Sequence, residues 1–395
     1  MAAKTDNFQS PDYFNVDDLL TEEHKLIRES VRSYVKKEIS PIIEDYAQRA
    51  EFPTQIIKQL GDLGCFGPTV PEQYGGGGLD YISYGIMMQE LERGDSGVRS
   101  TASVQGSLVM FPIYQYGNEA QRNKYLPKLA SGEWLGCFGL TEPNHGSDPA
   151  GMLTNFKDNG DDTVTLNGAK MWISNAPFAQ VAVVWAKDES GEIQGLIVEK
   201  GMEGFTAPLT PHKWSLRASA TGELVFDNVK IPKENILPGA KGLKAPLSCL
   251  TKARYGIAWG AVGAAMDCYD TALRYSLERK QFARPIAGFQ LQQKKLAEMI
   301  TEITKAQLLN WRLGTLMNEG KATPQQVSMA KRNSCEIAAD IARNARQILG
   351  AMGISGDYSI MRHMMNIESV LTYEGTHDVH LLITGMDITG INAFK

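Results

Sequence analysis

A carboxylate near the C-terminal end of the chain has unusual neighbours. In the stretch TYEGTHD, Glu374 lies between an aromatic ring, Tyr373, and the most flexible residue type, Gly375, and a strongly apolar run begins soon afterwards at Val379. Burial in such a setting disfavours the charged form of a carboxylate and therefore raises its pKa. A base with a raised pKa suits the removal of a weakly acidic proton, whereas an isolated glutamate would more simply cap or pair within a helical domain. From these residues alone, both roles stay open for Glu374.

The histidines, the glycine run and the cysteines do not form recognisable metal, phosphate-binding or disulfide motifs. The sequence HDVH, from His377 to His380, is one short cluster without a third ligand at metal-site spacing, so no metal is expected. The glycine run Gly75–Gly78 is followed by Leu79 instead of the Lys-Ser/Thr pair of a phosphate-binding loop, which favours a flexible surface loop. The cysteines are scattered, which disfavours zinc and disulfide frameworks and fits a reducing compartment: Cys65, Cys137, Cys249, Cys268 and Cys335.

Composition excludes several classes of protein. The chain has 395 residues, 43% hydrophobic and 22% charged, which is typical of a soluble globular protein with two or three domains. Its net charge of -5, without a dense Lys/Arg run, argues against a nucleic-acid surface or a membrane-binding patch. The N-terminal residues lack a signal-peptide segment, and no apolar run approaches the roughly 20 residues of a membrane span. We expect a cytoplasmic bacterial protein, or a mitochondrial matrix protein if the chain is a processed eukaryotic form.

The hydrophobic pattern changes twice along the chain. It is helical from Thr21, a capping residue followed by two acids, and becomes a series of short strands near Gly136. One of these, TVTLNGAKMWISN, contains an Asn-Gly pair that predicts a turn. Helical periodicity returns at about Leu243, and G-x-x-x-G at Gly256–Gly260 predicts close helix packing. The pattern predicts an α+β protein with an N-terminal helical domain at 1–135, a middle β domain at 136–240 and a C-terminal helical domain at 241–395.

Five motifs resemble those of the acyl-CoA dehydrogenases in order and spacing: CFGLTEPNHGSD, MWISN, RKQF, QILGAMG and YEGTHD. The resemblance covers nearly the whole chain. Longer segments are similar to the glutaryl-CoA dehydrogenase branch of this family: ELERGDSGVRSTASVQGSLVM, KWSLRASATGE, ARYGIAWG and YEGTHDVHLLITGMDITGINAF. His145 and Ser174 stand where serine and threonine are frequent, which puts two single contacts in doubt.

The resemblance implies an acyl-CoA dehydrogenase-like fold, in which the middle domain is a β-barrel or sandwich and the C-terminal domain a four-helix bundle. It also implies FAD as cofactor, an acyl-CoA substrate, an electron-transfer flavoprotein as partner and a homotetramer. The positions that match flavin contacts in the middle domain are Phe138, Leu140, Thr141, Gly146, Ser147, Trp172, Ile173 and Ser174. Those in the C-terminal domain, partly serving a neighbouring subunit, are Arg279, Gln281, Phe282, Gln290, Gln347, Ile348, Leu349, Gly350, Ala351, Thr376, Asp378 and Phe394.

The resemblance also assigns roles around Glu374. It implies that Glu374 removes the α-proton of the acyl thioester, and that Arg99 binds the distal carboxylate of a dicarboxylic acyl group. A guanidinium suits that task because it is always charged and can bind a carboxylate through two nitrogens. The alternative is a surface salt bridge of Arg99 with Glu92 or Asp95. Gly94 and Gly97 are expected to break the helix between Glu92 and Arg99. Further positions that match acyl-CoA contacts are Ser100, Ser147, Arg254 and Gly375.

Glu92, Arg99 and Tyr373 match a trio associated with decarboxylation. The resemblance therefore implies FAD-dependent α,β-dehydrogenation of glutaryl-CoA, followed by loss of CO2 to give crotonyl-CoA. A non-decarboxylating glutaryl-CoA dehydrogenase and a short-chain acyl-CoA dehydrogenase remain alternatives. A catalytically silent flavoprotein or assembly scaffold on the same fold is a further class, which the retained Glu374 disfavours.

Overall fold

Helices fill the chain from Glu22 to Ala130. The structure, a computed structural model, describes residues 11–394. The first helix begins at the predicted cap, where Thr21 Oγ1 accepts a hydrogen bond from the backbone N–H of His24 at 3.2 Å. The helices of this part are α1 (Glu22–Tyr34), α2 (Ile43–Arg49), α3 (Ile56–Asp62), α4 (Tyr81–Gly94), α5 (Ser96–Ser103), α6 (Phe111–Tyr116) and α7 (Glu119–Ala130), with π-helical turns at Val35–Ile39 and Val104–Met110.

The glycine run after α3 forms a loop, as predicted. A 3-10 turn at Glu72–Tyr74 leads into it, and Gly75 and Gly78 have positive φ angles of 82° and 60°. The loop folds closely onto its own start, since a Cβ on Gly76 would lie 2.1 Å from the carbonyl oxygen of Val70. The glycines therefore serve a close backbone approach.

An eight-stranded sheet makes up the middle of the chain. Its order is β6-β7-β3-β2-β4-β5-β8, with β1 paired in parallel to β4. The strand β4 is buried along almost its whole length, which explains its continuous apolar sequence VAVVWA. The strands are β1 (Gly136–Gly139), β2 (Asn155–Asp158), β3 (Thr163–Ser174), β4 (Val181–Lys187), β5 (Ile193–Glu199), β6 (Phe205–Thr206), β7 (Thr221–Pro232) and β8 (Ile236–Lys241).

The Asn-Gly pair in β3 is not the predicted turn. The strand continues through Asn167 and Gly168, and its register against β7 shifts between Leu166 and Gly168. Gly168 has φ 136°, and a Cβ there would lie 2.6 Å from Thr154 Oγ1. The chain advances by two residues from Leu166 to Gly168 but by three from Val229 to Phe226, so the extra residue of this β-bulge lies on β7. The Asn-Gly pair lies opposite the bulge and stays extended because β3 is paired on both sides.

Long helices form the C-terminal part. They are α8 (Lys244–Glu278), α9 (Gln290–Asn318), α10 (Pro324–Ile348), α11 (Ile360–Thr372) and α12 (His377–Thr389). Helix α8 packs on α10 and α9 and, across the molecule, on α4, while α10 also contacts α11 and α12. Between α8 and α9 lies a short hairpin, β9 (Lys280–Gln281) and β10 (Arg284–Pro285), which the sequence pattern did not predict.

The observed order of helices, sheet and helices is the predicted one. The domain limits at residues 135 and 240 stay predictions. Within residues 11–394, no helix is both long and apolar enough to cross a membrane.

Candidate active site

Glu374 lies in the short turn between α11 and α12. The backbone is left-handed at Glu374 (φ 54°) and positive at the following Gly375 (φ 100°). A non-glycine residue with such a φ carries strain, which persists only where surrounding contacts hold it and which is common at functional sites. The residue as a whole is half-buried, but its Oε2 is enclosed, and no described group donates a hydrogen bond to that oxygen.

The surroundings of Glu374 tune its proton affinity. Burial raises the pKa of Glu374 to about 7, although the charges of Arg99, Arg254 and Lys331 each act in the opposite direction. A carboxylate whose pKa lies near neutrality is well matched to general-base catalysis at physiological pH. The structure thus supports the predicted chemistry of this residue on grounds independent of its sequence motif.

Two buried cations hold the turn by its backbone. Arg254 Nε donates a hydrogen bond to the carbonyl oxygen of Glu374 at 2.6 Å. Lys331 Nζ, on α10, donates to the carbonyl oxygens of Tyr373 at 3.1 Å and Gly375 at 3.0 Å. Burial lowers the pKa of both cations. These contacts supply the external support that the strained turn requires.

A buried ion pair lies beside the turn. Arg99 Nε donates to Glu92 Oε2 at 2.6 Å, and at most 1% of either side chain is exposed. Nη2 of Arg99 donates to the hydroxyl of Tyr373, and the guanidinium carbon lies 5.6 Å from the centre of that ring. Burial opposes the charge of Arg99, but Glu92 and Tyr373 outweigh burial and raise its pKa above the usual value. Arg99 is therefore a buried cation. A salt bridge with Glu92 is present, as the alternative proposed, but it is buried and not on the surface.

Asp95 fixes the helix that carries Arg99. Helix α4 ends at Gly94, as predicted, and Asp95 is extended before α5 begins. Its Oδ1 accepts a hydrogen bond from the N–H of Gly97 at 2.7 Å and so caps α5. Its Oδ2 accepts from Arg362 Nη1 at 2.6 Å and from Asn366 Nδ2 at 2.8 Å, both on α11. One carboxylate therefore joins the helix bearing Arg99 to the helix that leads into Glu374.

Gly260 on α8 provides room for the ion pair. A Cβ at this position would lie 2.1 Å from Glu92 Oε2 and 3.2 Å from Arg99 Nε. Its partner in the G-x-x-x-G motif, Gly256, faces Tyr84 instead, with a Cβ-to-hydroxyl distance of 2.5 Å. The motif therefore seats two different polar side chains of α4 against α8.

The middle-domain flavin positions lie on β1, on the loop after it and at the end of β3, which carries an exposed indole ring. Trp172 has φ 61° and lies where the register of β3 shifts again, so that 57% of the residue is exposed. The N–H of Met171 donates to the carbonyl oxygen of Thr141 at 2.9 Å and joins β3 to the loop after β1. The side chains of Phe138, Leu140 and Ile173 are buried; Thr141 and Ser174 are half-buried; Gly146 and Ser147 are exposed.

A buried ion pair between Lys170 and Glu142 stabilises the loop that follows β1. Lys170 Nζ lies 2.9 Å from Glu142 Oε1 and donates to the carbonyl oxygen of Leu140 at 3.1 Å. The two oxygens of Glu142 also accept the backbone N–H groups of Leu153 at 2.7 Å and Thr154 at 2.9 Å. Burial opposes the charge of Glu142, but the amides and Lys170 outweigh burial and hold its pKa at about 2. The loop that flanks Trp172 is thereby fixed through an ion pair.

The predicted FAD positions of the C-terminal part lie mostly on exposed segments. Phe282, at the tip of the β9–β10 hairpin, is 88% exposed and has φ 51°. Gln347 Oε1 accepts a hydrogen bond from Lys295 Nζ at 3.1 Å, whereas Ile348 and Leu349 are buried, so that only their backbone is available to a ligand. Thr376 caps α12 by accepting the N–H of Val379 at 3.2 Å. The other positions, all exposed, are Arg279, Gln281, Gln290, Gly350, Ala351, Asp378 and Phe394.

These surroundings fit a flavin cofactor. The exposed face of Trp172 is a stacking surface for a planar ring, and the hydroxyls of Thr141 and Ser174 lie on adjoining segments. Exposed polar and basic side chains near the hairpin suit a dinucleotide with phosphates. Of the acyl-CoA positions, Arg99, Arg254 and Gly375 meet at the Glu374 turn, Ser100 is buried beside Arg99 on α5, and Ser147 lies on the loop after β1.

Comparison with known proteins establishes the class. Three family models match in succession: the N-terminal domain of acyl-CoA dehydrogenase at residues 21–133, the middle domain at 137–229 and the C-terminal domain at 240–389. The fold and the site define an FAD-dependent oxidoreductase. The chain belongs to the acyl-CoA dehydrogenase family, and it catalyses dehydrogenation of an acyl-CoA.

Individual relatives cover nearly the whole chain. Glutaryl-CoA dehydrogenase from Mycobacterium smegmatis, solved in complex with FADH2, is 46% identical with a TM-score of 0.96, over 98% of this chain and 100% of that one. Glutaryl-CoA dehydrogenase from Desulfococcus multivorans is 37% identical over 94% of this chain and 98% of its own length. Butyryl-CoA dehydrogenase from Megasphaera elsdenii is 36% identical with a TM-score of 0.90, over 93% of this chain and 98% of that one.

Two residues of the site escaped sequence reasoning. Gly260 was interpreted only as a helix-packing residue, because its neighbour in space, Glu92, is distant in sequence. Lys331 was not singled out at all, yet the sequence carries a signal for it. It interrupts a stripe of buried small and apolar positions on α10: Val327, Ser328, Ala330, Ser334 and Cys335. A lysine within such a stripe predicts a buried cation with a specific partner.

Proposed function

We propose that this enzyme dehydrogenates glutaryl-CoA at the α and β carbons and then decarboxylates the product to crotonyl-CoA and CO2. The observation that carries the proposal is the buried Arg99 guanidinium within the same cluster as Glu374. A straight-chain monocarboxylic acyl group has no distal charge, so it would not need the buried Arg99 cation as a partner. A dicarboxylic acyl group does, because its second carboxylate needs a desolvated cationic partner.

Glu374 takes the α-proton of the thioester. When bound, FAD accepts the β-hydrogen as a hydride, so that the substrate loses two hydrogens in all. Glu374 is ready for this role because burial raises its pKa, and the apolar acyl chain would exclude still more water from the carboxylate. The contacts from Arg254 and Lys331 to the turn keep the base in place while the proton moves.

Arg99 is equipped to receive the distal carboxylate. Its Nε and Nη2 are used by Glu92 and Tyr373, and no described residue accepts a hydrogen bond from Nη1. The cluster also has a charge balance that favours an anion. With Glu374 and Glu92 both ionised, as the base role requires, the three cations Arg99, Arg254 and Lys331 still outnumber the two carboxylates.

The trio of Glu92, Arg99 and Tyr373 then favours release of CO2. Dehydrogenation gives glutaconyl-CoA, whose γ-carboxylate is vinylogous to the thioester, so that loss of CO2 leaves a dienolate delocalised into the thioester. A guanidinium that held the carboxylate as a tight ion pair would stabilise the ground state and raise this barrier. Glu92 and Tyr373 compete for Arg99 and weaken that hold. Protonated Glu374 returns its proton to the γ-carbon, which completes crotonyl-CoA.

We further propose an electron-transfer flavoprotein as electron acceptor, a homotetramer, and the bacterial cytoplasm as location. FAD would lie against Trp172, with the loop of Thr141 to Ser147 beside it. The hairpin residues Arg279 to Phe282 would contact the nucleotide part, together with residues 347–351 of a neighbouring subunit. Support comes from the family and from the exposure of these residues in the single chain.

Product analysis tests the proposal. The purified enzyme is incubated with glutaryl-CoA and an artificial electron acceptor, and the acyl-CoA products are identified by mass spectrometry while released CO2 is measured. Equal amounts of crotonyl-CoA and CO2 are expected. Glutaconyl-CoA as the stable end product would overturn the decarboxylation step but leave dehydrogenation intact. Turnover of butyryl-CoA without any of glutaryl-CoA would favour the second candidate, a short-chain enzyme such as the Megasphaera elsdenii relative.

A further inference from the structure

A buried lysine donates hydrogen bonds to the backbone of the turn that carries Glu374. Lys331, on α10, is 1% exposed. Its ammonium donates hydrogen bonds to the carbonyl oxygens of Leu371 at 3.4 Å, Tyr373 at 3.1 Å and Gly375 at 3.0 Å. An ammonium has three donors, and all of them are used on this segment of only five residues.

The cost of this arrangement points to a role beyond packing. A buried ammonium loses its hydration, and nonpolar side chains of similar size often replace buried charges with no loss of stability. The neighbouring buried positions of α10 are small or apolar, so an uncharged side chain would suit the stripe better. The carbonyl groups that Lys331 binds lie on both sides of Glu374, the residue with the left-handed φ.

We propose that Lys331 is a positioning residue for the base: it clamps the carbonyl groups flanking Glu374 and holds the turn in its left-handed conformation. This inference rests on the proposed role of Glu374 and adds a residue that does not touch the substrate. The clamp also places a positive charge near the base. Removing that charge favours the protonated form of Glu374, so the carboxylate would form only at higher pH.

Other charged and titratable groups face the same space. They come from each helix packed around the turn: Tyr84 and Glu92 on α4, Arg99 on α5, Arg254 on α8, Cys335 on α10 and His380 on α12, together with Tyr373 in the turn itself. Arg99 and Arg254 remain when Lys331 is replaced. The expected change is therefore a shift of the acidic limb of the activity profile toward higher pH, with the limb itself retained.

The test compares Lys331→Met, which removes charge and donors, with Lys331→Gln, which removes the charge but keeps a donor, and Lys331→Arg, which keeps both. Lys305→Met, at an exposed lysine of α9 bound to Glu302, is the matched control. Two readouts are used. The first is anaerobic flavin reduction by butyryl-CoA across a pH series, and the second is hydrogen–deuterium exchange of residues 371–376 without substrate.

In Lys331→Met, we expect flavin reduction to slow about 100-fold, as is typical when a catalytic group is misplaced by about 1 Å. KM should change little, the acidic limb should move to higher pH, and residues 371–376 should exchange faster. Lys331→Gln should show the pH shift with a smaller loss of rate. Lys331→Arg should retain most of the activity, and Lys305→Met should match the wild type in both readouts.

A wild-type rate, pH profile and exchange pattern in Lys331→Met would overturn the proposal. So would a lowered melting temperature with the pH profile and local exchange unchanged, since that result describes a purely structural residue. If Lys331→Met does not fold, Lys331→Gln decides on the same criteria. The exchange readout needs no turnover, and Glu374→Gln reports on the base itself, so a failure of the proposed function is distinguishable from a failure of the clamp.

Discussion

Replacing Arg99 by methionine should change substrate preference far more than it changes catalysis in general. The side chain stays unbranched but becomes shorter, and it loses its charge and all its donors. In the native chain, Arg99 and Glu92 are buried together, and Arg99 also binds the hydroxyl of Tyr373. The substitution therefore has two effects, one on the protein alone and one on any substrate whose carboxylate binds the guanidinium.

The structure allows the free-energy cost of both effects, on the protein and on the substrate, to be approximated. Without Arg99, the enclosed carboxylate of Glu92 has no described partner left for either oxygen, which destabilises the fold whatever the substrate. Breaking a desolvated charge pair from one side costs on the order of 3–5 kcal/mol. For the pair between substrate carboxylate and guanidinium, this corresponds to a loss of roughly 200- to 5,000-fold in kcat/KM. A solvent-exposed contact worth about 0–1 kcal/mol would give less than roughly sixfold.

The quantity to measure is the ratio of kcat/KM for glutaryl-CoA to that for butyryl-CoA, in the wild type and in Arg99→Met. Butyryl-CoA lacks the distal carboxylate, so it reports the general damage and the ratio isolates the carboxylate contact. Arg99→Lys is the matched variant, since it keeps the charge but loses the planar guanidinium, and its ratio should lie between the two. Equal losses on both substrates would show that Arg99 only supports Glu92, and the reasoning from the buried cation would be refuted.

Three further predictions concern the base and its surroundings. Glu374→Gln should keep its flavin absorbance but reduce the flavin at least 100-fold more slowly, because glutamine accepts no proton; a wild-type rate in a stopped-flow trace would exclude the base role. Because burial raises the pKa of Glu374 to about 7 and only the carboxylate accepts a proton, flavin reduction should slow as the pH falls below about 7. A rate that stays constant through the acidic range would contradict that pKa. Gly260→Ala should lose glutaryl-CoA turnover because its Cβ would meet Glu92 Oε2 at 2.1 Å, whereas Gly256→Ala, which displaces Tyr84 instead, should keep the ratio of the two substrates.

Much of the fold follows from local patterns. The cap at Thr21, the start of the strands near Gly136 and the return of helical periodicity at about Leu243 were all predicted within a few residues. The Asn-Gly pair shows where such reasoning fails. Its local preference for a turn is real, but hydrogen bonds to strands on both sides of β3 outweigh it, and one of these partners, β7, is distant in sequence.

The site was predictable to the extent that its residues belong to recognisable motifs. Glu374 and Arg99 were found in this way. The structure adds the contacts of Arg99 with Glu92 and Tyr373 and the contact of Arg254 with the backbone of Glu374. Lys331 and Gly260 act only through residues that are far away in the sequence, so no local pattern describes their partners. The hairpin of β9 and β10 was missed because each strand has only two residues, too few for a periodic pattern.

The hydrogen bonds of Asp95 fix the position of helix α5 relative to helix α11. Because its carboxylate joins the start of α5 to Arg362 and Asn366 of α11, Arg99 and Glu374 cannot drift apart independently. If Arg99 binds the distal carboxylate and Glu374 takes the α-proton, as proposed, their separation sets the distance between these two points of the acyl group. A diacid one carbon shorter or longer would satisfy one end and miss the other. Selectivity for the chain length of the diacid would thus depend on the link between α5 and α11 through Asp95. Changes to residues that line the acyl pocket would leave the distance between Arg99 and Glu374 unchanged.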